Sequence, residues 1–199
     1  MTKKVSSTEV TAGELKARLD ADPEFQKRKA AREVELQQRV QKRSEAEQPL
    51  IDELLTAGVT VGSVWDLVNT TDPYPEALPV LMDHLESRAY PDRVMDGIGR
   101  ALGVGPAVRY WDRLIAVLRA ETRPGCAEGV AVALAACATK EQLPDLIELV
   151  AQTELGDNRI HLLRAIKQRG GAEGQSVLRS LANDEDLGQA ARALLKRST

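Results

Sequence analysis

The sequence predicts an all-α protein whose larger part is a stack of helical hairpins, and three observations carry that expectation. Two apolar ladders share one period: Ala101-Leu102, Ala133-Leu134, Ala165-Ile166 and Ala193-Leu194 recur at intervals of 32, 32 and 28, and Leu81, Leu114, Leu146 and Leu178 at 33, 32 and 32. Such ladders arise from two-helix units whose apolar faces only their neighbours cover, the arrangement of an α-solenoid. Inside each unit the apolar residues fall at three- and four-residue spacing, the signature of one helical face. Apolar residues make up 43% of the 199, but aromatics only 3%. Leu, Ala and Val must therefore fill the interior, which suits close-packed helices better than a sheet sandwich.

Residues 1–10 show no periodicity and are expected to fray. A short helix is expected from about Gly13 to Asp20, with Thr11 close to its start. Asp22-Pro23-Glu24 is a strong helix opening: a capping Asp, Pro at the first helical position and an acid in the first turn. From there to about Glu47 no Gly or Pro intervenes. This stretch carries few apolar residues (Phe25, Val34, Leu36, Val40), and Val34 and Leu36 cannot share a face. A helix of this kind is a solvated arm or one awaiting a partner. Residues 1–48 are thus read as a charged helical arm, with a second copy of the chain as its candidate partner in a homodimer.

Pro49 is expected to open the compact part, 49–199. Leu50, Ile51, Leu54 and Leu55 mark a helix stopped at Gly58, and Ser63 caps a short helix over Val64–Val68. Residues 49–73 read as an atypical first unit closing the stack. Four units follow, over 74–105, 106–139, 140–170 and 171–199. Their first helices carry Leu78, Leu81 and Leu85; Trp111, Leu114 and Leu118; Leu143, Leu146, Ile147 and Val150; Val177, Leu178 and Leu181. Their second helices carry Val94, Ile98 and Leu102; Val130 and Leu134; Ile160, Leu163 and Ile166; Leu187, Ala190 and Leu194. Turn signals fall between them at Tyr90-Pro91-Asp92, Gly103–Pro106, Arg123-Pro124-Gly125, Gly156-Asp157 and Gly170-Gly171. Lys196-Arg197 place cations at the last helix end.

The period of 32, the Leu78-Pro79 and Leu143-Pro144 openings, and the steps Arg100-Ala101-Leu102, Arg164-Ala165-Ile166 and Arg192-Ala193-Leu194 resemble the HEAT-repeat superfamily, in particular its short-unit, phycobilisome-lyase-like branch. Val132-Ala133-Leu134 departs from the step. The run Ser63-Val64-Trp65-Asp66-Leu67-Val68-Asn69 leading to Tyr74-Pro75 and Tyr90-Pro91-Asp92-Arg93 is similar to a group of uncharacterised bacterial HEAT-repeat proteins. The resemblance covers roughly 74–197. It implies a right-handed α-solenoid used as a protein-binding scaffold, with the second helices lining the concave side, and names no ligand.

Net charge is −3; residues 1–48 hold 11 Lys/Arg against 9 Asp/Glu, and the remainder 16 against 21. That balance argues against nucleic acid as partner, since a duplex-gripping solenoid needs Lys and Arg along one wall. No apolar leader follows Met1 and no run approaches a membrane span, so a cytoplasmic location without a membrane partner is expected. Cys126 and Cys137, about 16 Å apart if on one helix, are beyond disulfide reach and read as buried thiols. Gly97-Ile98-Gly99-Arg100-Ala101-Leu102-Gly103 resembles a dinucleotide-binding turn only superficially, because its apolar spacing places the glycines inside a helix, where close packing is their use. Gly170-Gly171-Ala172-Glu173-Gly174 lacks the Lys-Ser/Thr of a phosphate loop. His84 and His161 stand alone, no nucleophile motif surrounds any serine, and Asp184-Glu185-Asp186 reads as a helix start. No catalytic residue, metal ligand or cofactor is expected. The alternatives to a protein scaffold are a nucleic-acid-binding solenoid and, behind it, a cofactor-lyase-like protein needing a polar pocket.

The candidate partner-binding residues are Arg93, Asp96 and Arg100, along one helix edge, with Arg159, Arg164 and Arg192 at matching repeat positions and Tyr90 beside them. Exposed aromatics with arginine are hot-spot chemistry. The competing reading pairs these arginines with acids between units, with Asp92, Asp96, Asp157 and Asp186 available. Trp65 and Trp111 lie on apolar faces and are expected in the core.

Overall fold

The computed structural model describes residues 11–196, and these form ten α-helices and three short 3-10 segments, with no strand among them. The segment 1–10, expected to fray, and Arg197 lie outside the described residues. The chain divides into two units, Met1–Glu45 and Ala46–Thr199.

In the first unit, α1 (Ala12–Ala21) opens with a reciprocal cap: the Glu14 amide donates to Thr11 Oγ1 at 3.3 Å and the Thr11 amide to the Glu14 carboxylate at 3.0 Å. Helix α2 (Pro23–Thr56) starts where the Asp-Pro-Glu signal puts it, with Asp22 Oδ1 accepting from the amides of Glu24 and Phe25. Val34, Leu36 and Val40 are exposed. The expected end near Glu47 does not occur, because α2 runs on through Pro49. A helix-interior proline costs about 3 kcal/mol through its missing amide and its ring. Leu50 and Leu54, both wholly buried, contribute about 1.5–3 kcal/mol each and offset that cost. The helix closes at left-handed Gly58 (φ +86°), with the Val59 amide on the Leu54 carbonyl.

The second unit continues with α3 (Val64–Asn69), capped by Ser63, then α4 (Ala77–Ser87), α5 (Asp92–Ala101), α6 (Trp111–Ala120), α7 (Pro124–Cys137), α8 (Leu143–Ala151), α9 (Arg159–Ser180) and α10 (Gly188–Lys196). Gly171 (φ +51°) breaks α9 into 159–170 and 172–180, at the expected Gly170-Gly171 turn. Packing follows chain order: α3 lies on α5, α5 on α7, α7 on α9 and α9 on α10, while α4, α6 and α8 lie on α5, α7 and α9 respectively. Leu81, Leu114, Leu146 and Leu178 are fully buried, as are the Ala-Leu/Ile steps at 101, 133 and 165. Trp111 is buried as expected, but Trp65 is only partly so.

The closest approach is between α5 and α7. A Cβ on Gly99 would lie 2.7 Å from the Gly129 carbonyl carbon, and one on Gly129 would lie 2.5 Å from the Asp96 carbonyl oxygen. The 97–99 glycines therefore serve contact between helices, because any side chain would force the backbones apart. Two ladder positions differ from expectation. Ile160 is exposed because the buried side of its turn is taken by Arg159. Ala193 is exposed: α10 packs chiefly on α9 and the 181–183 segment, and Ala193 lies on the side turned away from that packing.

Candidate functional site

The second helices carry a continuous strip of polar contacts. It begins at Trp65 on α3, whose ring stacks under the Arg93 guanidinium at 3.8 Å. Gly97 makes room for that indole, since a Cβ there would meet Val64 and Trp65 at 2.6 and 3.0 Å. Arg93 Nη1 donates to Asp96 Oδ2 at 2.6 Å and Arg100 Nε to Asp96 Oδ1 at 2.6 Å, so one buried carboxylate is shared by two arginines a helical turn to either side. Arg100 then reaches across to α7 and pairs with Glu128, which in turn faces His161 Nε2 on α9 at 3.8 Å. Burial works against the Arg100 charge, but Asp96 and Glu128 outweigh it and hold the guanidinium above its usual pKa. His161 moves the other way: burial holds its imidazole below the usual value, with Glu128 opposing. Beyond His161 the strip opens into a cleft of about 390 Å³ lined by Val132, Ala135 and Ala136 of α7 and by Arg164, Gln168 and Arg169 of α9.

Arg93, Asp96 and Arg100 are thus brought together as expected, but Asp96 is committed to Arg93 and Arg100, and Arg100 to Asp96 and Glu128. The matching arginines do not extend one even row. Arg93 has 57% of its side chain exposed whereas Arg159 has 2%. Arg159 points inward, with Nη2 on Asp186 Oδ2 at 2.7 Å and Nε on the Gly156 carbonyl at 3.1 Å, and it fastens α9 to the start of the last unit. An uncompensated buried guanidinium is too costly for this position to be otherwise. Arg192 is exposed and donates to the Ala182 carbonyl. Arg164 is exposed and has no hydrogen-bonding or ionic partner among the described residues. Tyr90 is not a surface anchor: it is buried, with its hydroxyl 2.5 Å from His84 Nδ1. His84 Nε2 lies 2.7 Å from Glu53 Oε2, so this relay ties α2 to α4.

The first helices bear a separate set of pairs. Arg113 holds Glu86 through two contacts, at 2.8 and 2.7 Å, and Asp83 at 2.8 Å. Arg119 holds Glu148 at 2.7 Å, and Trp111 Nε1 donates to Asp145 at 2.7 Å. Asp92, expected as an arginine partner, instead accepts from the amides of Gly125 and Cys126, capping α7 from the preceding unit.

Three participants escaped the sequence reading. Glu128 carries no local pattern, and its partner lies 28 residues away. Glu47 looked like the polar end of the arm, yet it is buried and accepts from the Val64 amide at 2.5 Å and from Ser63 Oγ at 3.1 Å. Glu121 is bidentate with Arg123, and chiefly that pairing holds its carboxyl at about 2. Cys126 and Cys137 are free and buried on α7, and burial pushes both thiols up to about 12. Among the described residues no group of three or more His, Cys, Asp or Glu is gathered to hold a metal, and no helix is long and apolar enough to cross a membrane. No protein-family model, curated protein or solved structure matches this chain.

Proposed function

We propose that the compact unit is a HEAT-like α-solenoid and that it acts as a non-catalytic, protein-binding scaffold in the cytoplasm, with the strip on its second helices as the docking face. One observation carries the reading: from α4 onward, polar links between successive helical pairs join residues about one sequence period apart. Arg88 reaches the Ala120 carbonyl 32 residues on, Asp92 the Gly125 and Cys126 amides 33 and 34 on, Trp111 reaches Asp145 34 on, and Arg169 reaches the Ala138 carbonyl 31 back. Links of that spacing suit units laid side by side in chain order, a build that presents a run of helix faces to a partner. Such a surface recognises by a few anchors within a complementary patch, and stacked Trp65–Arg93 with exposed Arg164, which no described residue engages, are groups of that kind.

The test is affinity capture from the source cell with the full chain as bait, comparing the wild type with Arg93→Glu, Arg164→Glu and, on the first-helix side, Arg119→Glu. The reading expects a protein captured by the wild type and by Arg119→Glu and lost from the other two. Capture insensitive to the second-helix changes counts against it, as does capture of nucleic acid that falls steeply with salt. The exposed Leu15, Val34, Leu36 and Val40 support a second role for the arm, pairing with another copy of the chain. Sedimentation equilibrium of the full chain and of Leu36→Lys checks it, a monomer in both cases being the contrary result.

A further inference from the structure

We infer that the groove between α7 and α9 docks an acidic peptide segment of a partner protein, one that places carboxylates beside a small aliphatic side chain. This rests on the protein-binding reading above and adds the chemistry of the partner. Two adjoining clefts make the groove. The first, about 390 Å³, lies between the exposed side of α7 and the 161–169 stretch of α9, and the second, about 530 Å³, lies at the C-terminal end of α7. They share Ala136, Gln168 and Arg169.

The groove's charge inverts that of the chain. Lys140, Arg164 and Arg169 line it, and no Asp or Glu among the described residues does, although the whole sequence holds 30 acids against 27 bases. The cleft between α6 and α8, about 270 Å³, is lined the opposite way, with Asp112, Asp145 and Glu148 facing Arg119 alone. Arg164 has its whole guanidinium fork available, since no described residue engages it. Arg169 donates through Nε to the Ala138 carbonyl at 3.0 Å, and no described residue engages its terminal nitrogens. A guanidinium fork in this state suits bidentate capture of a carboxylate. Val132, Ala135 and Ala136 give the floor an apolar strip with room for a methyl-bearing side chain. Nucleic acid fits less well: three fixed charges neutralise few phosphates, and no Phe, Tyr or Trp among the described residues lines either cleft, which leaves the His161 imidazole as the one ring there for a base to stack on.

The full chain is panned against a random 12-residue peptide library, and recovered peptides are titrated by fluorescence anisotropy. Recovered sequences are expected to carry two or more Asp or Glu next to Leu, Ile or Val. Their affinity should fall about ten-fold or more in Arg164→Glu, fall also in Lys140→Glu, and stay unchanged in Arg119→Glu. Circular dichroism verifies that each variant keeps its helicity, as these exposed positions should allow. The inference is overturned if recovered peptides are neutral or basic, if none is recovered, or if acidic peptides bind Arg164→Glu as well as the wild type. In that last case peptides bind elsewhere and the scaffold reading survives. Arg164-dependent binding of a 12-nucleotide single strand in preference to the peptides removes both readings. Arg164-dependent self-association, measured by sedimentation, overturns the peptide assignment by showing a second copy as the occupant.

Discussion

Replacing Gly129 by alanine sets two well-measured effects against each other. An alanine in place of a helix-interior glycine is worth about 1 kcal/mol of helix propensity. Here, however, the added methyl would sit 2.5 Å from the Asp96 carbonyl oxygen and 3.0 Å from the Asp96 Cα, all of it backbone. A normal contact needs about 3.4 Å or more, so α5 and α7 must separate by about 1 Å. Backbone cannot swing aside as a side-chain tip does, so the cost belongs at the upper end of overpacking, about 3 kcal/mol. The net expectation is a loss of about 2 kcal/mol, read as a lower urea midpoint by circular dichroism at 222 nm. Gly105→Ala is the control: no atom lies within 4 Å of its added Cβ, so its midpoint should barely move. Stabilisation of Gly129→Ala by the propensity gain alone would refute the argument, because it would mean the two helices are not in backbone contact.

Three further outcomes follow from the same packing and electrostatics. Leu114→Ala, at a wholly buried rung of the first-helix ladder, should lower unfolding stability by about 2–5 kcal/mol in the same titration; a change near zero would show that rung is not core. Glu121 has a folded-state pKa depressed to about 2 from 4.5, so its contribution is fully present above about 4.5 and disappears as pH falls toward 2. Glu121→Gln should therefore flatten stability against pH within that window, and an unchanged acid limb would contradict the role given to Arg123. Cys126 and Cys137, buried with thiols near 12, should resist a thiol reagent at pH 8 in the folded chain and react once urea unfolds it; fast labelling of the native chain would contradict their burial.

What the sequence made legible is what one helical face dictates locally. The Leu81–Leu178 ladder, the Ser63 cap, the Asp22-Pro23 start and the Gly171 break each depend on a few adjacent residues, and each stands in the structure. The misreadings depend on tertiary context. Pro49 looked like a boundary because its local cost is real, but burial of Leu50 and Leu54 outweighs it. Arg159 and Arg93 looked alike because they hold related sequence positions, while of the two only Arg159 turns inward, to pair with Asp186 of the next unit. Tyr90 looked like a surface aromatic beside a turn, and only the partnership with His84 and Glu53 shows why it is buried. Arg164 could be placed from its step with Ala165 and Ile166, but not its lack of a partner among the described residues.

The central claim, that successive second helices lie side by side in chain order, is tested most directly by distances between spin labels. Cysteines at Arg93, Pro124, Ile160 and Gln189 put one exposed label in the first turn of each, and the buried native thiols stay unlabelled. With neighbouring axes about 10 Å apart, pulsed electron resonance should give separations rising stepwise, near 20 Å for 93–160 and near 30 Å for 93–189. A 93–189 distance no longer than that between adjacent helices would contradict the layered arrangement, and the docking face built on it.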